Sequence, residues 1–143
     1  MRWTARGVSA LLLLSPSCTG AGGAALPKGP AVVDVVLDEY SFAVEGEMAR
    51  GRVVVRADNA GGEDHEILVV FLPKGVPPIR EQLAGDERRT VASMAQTARL
   101  PAGAEGGFAV DLGPGRYAFL CFIEAPDGTP HALKGMAWEF RVD

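Results

Sequence analysis

The sequence predicts an all-β chain, a sandwich of about seven short strands. Runs rich in β-branched and aromatic residues recur along it with turn signals between them. Glycine and proline are plentiful, 18 and 10 respectively, while stretches with helical spacing are few. The last run alternates cleanly, with Met136, Trp138, Phe140 and Val142 on one side and Ala137, Glu139, Arg141 and Asp143 on the other. That is the period of a half-buried strand, and it turns Met136 inward.

Residues 31–37 (AVVDVVL) and 40–44 (YSFAV) read as one strand interrupted near Asp38-Glu39. Residues 51–57 (GRVVVRA) form the next, and Asn59-Ala60-Gly61-Gly62 is a turn. Residues 65–72 (HEILVVFL) are apolar on both parities after Glu66, which places this strand centrally in a sheet with His65 at its mouth. Residues 73–78 break the pattern. Residues 79–83 and 87–98 then read as helical, with Asp86 as N-cap and Val91, Met94 and Ala98 on one apolar face. Such an insertion, around residues 77–98, is too short and polar for a second domain. Strands follow at residues 107–112 and 116–123, separated by the tight turn Gly113-Pro114-Gly115. On the second of these Tyr117, Phe119 and Cys121 share a face.

The chain has 143 residues, 48% hydrophobic and 22% charged, which suits one compact domain over residues 31–143. Its net charge is −4 and it has no basic run, which argues against a nucleic-acid partner. Residues 1–17 read as an export signal, with Arg2 and Arg6 before a short apolar core (VSALLLL). That core is too short to span a bilayer as a helix. Two exits follow: a lipoprotein with Cys18 as its lipidated first residue, or cleavage within residues 20–25. In the first, Cys18 is the chain's one membrane anchor. Residues 18–30 read as a flexible linker.

Either way the folded part holds one cysteine, Cys121, and an exported domain with one unpaired thiol calls for a reason. Cys121 closes one strand, His131 sits in the following turn and Met136 opens the last strand. A thiolate, an imidazole and a thioether at the loop end of a hairpin make most of a copper site. The one other histidine of the chain, His65, begins a strand of its own. Singly, Cys121 reads as a small buried apolar residue, Met136 as core, His131 as a loop residue and His65 as a turn cap. Together they form the ligand set of a type 1 copper site, two nitrogens and a thiolate with a weak thioether above them. Met94 reads as packing, Asp64 and Glu66 as solvated charge or as groups orienting the His65 ring, and Glu124 and Asp127 as turn residues.

These features resemble the cupredoxin family, the blue-copper sandwiches. The likeness rests on Asn59 followed by His65 at a strand start, on Gly115-x-Tyr117-x-Phe119-x-Cys121, and on His131-x4-Met136 with Gly135 before the methionine. More narrowly, the chain resembles exported bacterial cupredoxin-like proteins carrying Cys-Phe-Ile/Val, Asp-Gly-x-Pro-His and Gly-Met in this order. The resemblance implies a Greek-key β-sandwich and one copper ion held by His65, Cys121, His131 and Met136. It further implies that His131 lies at an exposed edge as the electron route, with Phe122, Ala132 and Leu133 as a docking patch. One departure is the nine residues between Cys121 and His131, where well-studied members have two to four.

The function expected is one-electron transfer by an exported monomer with a redox or copper-handling protein as partner. Extracytoplasmic copper sequestration or delivery is the second reading, and a metal-free binding module the third. An enzyme is the least expected class, since no residue is indicated to orient a Cys121–His131 pair and a multicopper oxidase needs more than two histidines.

Overall fold

A computed structural model describes residues 29–85 and 92–143. The reading of residues 1–28 as signal and linker, and that of Asp86 as an N-cap, lie outside the described residues. Among the described residues, eight strands form two four-stranded sheets. They are β1 (Ala31–Asp38), β2 (Ser41–Glu45), β3 (Gly51–Asn59), β4 (Leu68–Leu72), β5 (Ala92–Gln96), β6 (Glu105–Leu112), β7 (Gly115–Leu120) and β8 (Ala137–Val142). The first sheet has the order β2-β1-β3-β6 and the second β5-β4-β7-β8. β1 and β3 run parallel, and every other pair is antiparallel. A short helix, α1 (Ile79–Ala84), follows β4, and a single 3-10 turn covers His131–Lys134.

Alternation along each strand fills the space between the sheets. Val33, Val35 and Leu37 of β1 face Val69 of β4, Tyr117 and Phe119 of β7 and Val142 of β8 in one cluster, with Trp138 and Phe140 packed on it. Phe119 is fully buried at its centre, its ring 5.3 Å from those of both Trp138 and Phe140 and 6.0 Å from Phe42 on the opposite sheet. β4 is flanked by β5 and β7, the central place expected from its two-sided apolar pattern. Its outer face does not meet water, because Val70, Leu72, Ala118 and Leu120 pack against Ile79 of α1 and Ala132 of the 3-10 turn.

Two elements differ from the sequence-based expectation. Residues 31–45 are a hairpin, not one interrupted strand: β1 and β2 pair from Asp34↔Glu45 to Asp38↔Ser41. The turn at Glu39-Tyr40 lacks the usual glycine and instead holds Tyr40 at φ 61°, while the Asp38 carboxylate accepts the Glu39 N–H. The second helical stretch, expected over residues 87–98, is overturned from residue 92 on, and its first part lies outside the described residues. Residues 92–96 are a strand paired along β4, and Met94 is exposed rather than packed. The open edge of a buried strand needs partners for its backbone groups, and that demand outweighs a chance spacing of Val91, Met94 and Ala98.

Replacing Phe119 by alanine is expected to lower stability by about 3–5 kcal/mol, measured by denaturant unfolding. A loss under about 1 kcal/mol would show that its aromatic neighbours collapse into the space.

Candidate metal centre

One end of the sandwich gathers its side chains by backbone hydrogen bonds, not by regular strand. After β7, Cys121 donates its N–H to Met136 O (3.3 Å) and accepts from Ala132 N–H (2.8 Å). Met136 N–H donates to His131 O at 3.0 Å, and His131 N–H to Ile123 O at 2.9 Å. The nine residues between Cys121 and His131 are therefore a small hairpin of their own. Ala125 N–H meets Thr129 O at 2.9 Å, Glu124 bridges Pro130, and the turn closes at Gly128, whose φ is 79°. Asp127 caps that turn through Thr129 N–H (3.0 Å) and pairs with Lys134. The long spacing thus brings His131 back over Cys121 without loosening it.

His65 arrives from the other half of the chain. It is locked to Leu100 by two main-chain bonds, His65 N–H to Leu100 O (3.0 Å) and Leu100 N–H to His65 O (2.8 Å). Asn59, fully buried at the end of β3, sets the loop before it. Its side-chain amide donates to Glu63 O at 2.8 Å and Leu100 O at 2.9 Å, and its carbonyl accepts Gly61 N–H at 3.0 Å. Gly61 has to be glycine, for a Cβ there would lie 2.9 Å from His65 Nε2 and 2.8 Å from the Glu39 carboxylate.

The result is a buried triad. One ligand atom from each of His65, Cys121 and His131 lies within 4.8 Å of the other two, and all three residues are fully buried. His65 Nδ1 and His131 Nδ1 are 3.1 Å apart, and His131 Nδ1 is 3.5 Å from Cys121 Sγ. An ion about 2.0 Å from nitrogen and about 2.3 Å from sulfur holds its donors roughly 3–3.5 Å apart. The spacing already fits one ion. Met136 is also fully buried, and its main chain is bonded to both Cys121 and His131.

Burial and the neighbouring His131 hold the His65 imidazole below its ordinary pKa, the neutral form a ligand needs. Burial pushes the Cys121 thiol up, while backbone N–H groups of Glu66 and Ile123 work against that rise by favouring the thiolate. His65 Nε2 is buried without a hydrogen-bond partner. A thiolate and two imidazoles are a soft donor set that suits one copper ion.

The expected exposed edge is not where the structure puts it. His131 has no exposed surface: the Tyr40 ring stands edge-on 5.1 Å away, and Glu63 Oε2 lies 2.9 Å from Nε2. The β1–β2 hairpin carries Tyr40 over the ring, a consequence of the turn that the sequence did not advertise. Phe122 and Leu133 are exposed as a docking patch requires, but Ala132 is buried. Neither acid flanking His65 touches its ring. Asp64 pairs with Arg99, and Glu66 accepts the Phe122 N–H. The carboxylate that does reach an imidazole is Glu63, two residues before His65, and no local pattern marks it.

No protein-family model and no curated protein matches the chain. Solved structures do. Dithionite-reduced auracyanin from Roseiflexus castenholzii superposes with a TM-score of 0.53 at 21% identity, over 78% of this chain and 95% of that one. Auracyanin A, described as a "blue" copper protein from Chloroflexus aurantiacus, gives 0.53 at 16% identity over 80% and 100%. Reduced rusticyanin gives 0.50 at 22% identity over 79% and 77%.

Lys134 holds the Asp127 carboxyl down at about 2, with the Thr129 N–H assisting, and Asp127 in turn raises Lys134. The carboxylate's contribution to the ligand hairpin is therefore full above its ordinary value and fades as pH falls towards 2; the ammonium's fades only as pH rises past its ordinary value. The Asp127 carboxyl carbon is expected to titrate near 2 by NMR. Asp127→Asn should speed exchange of the Ala125 amide at neutral pH, with the difference from wild type shrinking as pH falls towards 2.

Proposed function

Taking the cupredoxin fold as established, we propose that this protein is a one-electron carrier with a mononuclear type 1-like copper site. His65, Cys121 and His131 would supply the strong donors, and the Met136 thioether would be the weak one. The observation that carries the reading is the convergence of two imidazole Nδ1 atoms and one thiol sulfur at ligand spacing in a buried pocket. Such a donor set gives copper an intense thiolate charge-transfer absorption and a potential open to one-electron exchange. The chain's part is to exclude water and to keep the donors still.

Stillness favours electron transfer over copper delivery. The loop between Cys121 and His131 is tied by its own hydrogen bonds, and His131 is roofed by Tyr40 and Glu63. A delivery site has to open, and each of these contacts resists opening. Export is part of the proposal and rests on the leader pattern of residues 1–17. A lipid anchor at Cys18 and a redox protein as partner belong to the same reading. Phe122 and Leu133, exposed beside the ligand loop, supply apolar surface for such a partner.

Adding Cu(II) to the purified protein is expected to produce an intense visible band that the Cys121→Ser variant lacks. A protein that binds copper with no such band, or whose band survives the substitution, is not a type 1 carrier.

A further inference from the structure

The Glu63 carboxylate is placed to decide which nitrogen of His131 is free. His131 Nε2 lies 2.9 Å from Glu63 Oε2. A carboxylate only accepts, so Nε2 bears the hydrogen, and a neutral ring then has its lone pair on Nδ1. That is the atom 3.1 Å from His65 Nδ1 and 3.5 Å from Cys121 Sγ. The carboxylate is itself held by Tyr40, whose Oη donates to Glu63 Oε1 at 3.2 Å, and the residue's main chain is fixed by its own N–H, which donates to Glu39 Oε1 at 3.0 Å. The loop beneath is fixed by the Asn59 amide on Glu63 O at 2.8 Å. His65 has no counterpart, since its Nε2 is buried without a partner. The two imidazoles, alike in burial, are therefore unlike in preparation.

We propose that Glu63 is the positioning residue of the metal centre, a clamp that presets His131 as an Nδ1 donor before any ion arrives. The inference rests on the copper reading above. A carboxylate behind a ligating imidazole fixes its tautomer and orientation and makes it a stronger donor. A stronger donor favours the more highly charged oxidised ion, so the clamp lowers the reduction potential of the bound copper. Tyr40 steadies the clamp and closes the site over it.

The test uses the full chain with Glu63→Ala and Glu63→Gln. Long-range 15N–1H NMR of the metal-free protein is expected to show His131 with hydrogen on Nε2 alone. Glu63→Ala should add an Nδ1–H population, and Glu63→Gln, whose amide oxygen still accepts, should restore the wild-type pattern. With copper bound, the potential should rise in the order wild type, Glu63→Gln, Glu63→Ala. Cu(II) affinity should fall about 10- to 100-fold in the alanine variant. An unchanged tautomer and potential in Glu63→Ala, with only a lower melting temperature, would reduce Glu63 to a structural role and overturn the proposal. Should Glu63→Ala not fold, Glu63→Gln decides: a potential equal to wild type overturns it. The NMR signature is read without metal, so wild-type protein that shows the clamp but no charge-transfer band sinks the copper reading and not the clamp.

Discussion

The metal-binding end of this protein depends on one short ladder. Cys121 N–H meets Met136 O, Met136 N–H meets His131 O, and Ala132 N–H meets Cys121 O. These bonds continue the β7–β8 pairing past the point where regular strand stops, and they tie the thiol and one imidazole to the rigid sheet. Beneath them Phe119 packs against Phe42, Trp138 and Phe140 at the centre of the core. Donor spacing is thus inherited from sheet geometry. On the proposed one-electron reading that inheritance would matter, because donors free to move would follow an ion between its two preferred geometries.

The second imidazole comes from the other half of the chain, and a separate device sets it. Asn59 ends β3 with its side chain spent on backbone groups of three residues, Gly61, Glu63 and Leu100. The same loop that delivers His65 to the pocket also delivers the Glu63 carboxylate to the far side of His131. One buried amide therefore sets the loop that carries both the His65 imidazole and the carboxylate facing His131.

The sandwich was legible because its strands obey period 2. Phe119 and Cys121, or Met136 and Val142, fall on one face whatever the loops do. The triad was legible for a chemical reason, since few arrangements call for one cysteine and two histidines at strand ends. What escaped was long-range or strained. The Glu39-Tyr40 turn uses a non-glycine at positive φ, which no turn signal marks, so the β1–β2 hairpin was missed and with it the cover over His131. The strand Ala92–Gln96 exists because β4 has an edge to fill, a demand made by another segment. Glu63 looks like one acid among several near His65; a fold that bends its loop towards residue 131 singles it out.

The roof over the pocket bears on kinetics. An ion or a small chelator has no direct line to the three donors, because Tyr40 and Glu63 lie over His131 and the ligand hairpin closes the rim. For an ion bound as proposed, traffic in either direction would wait for a local opening of that cover, its frequency set by the surrounding hydrogen bonds. Uptake by the proposed triad site would then be slow and residence long.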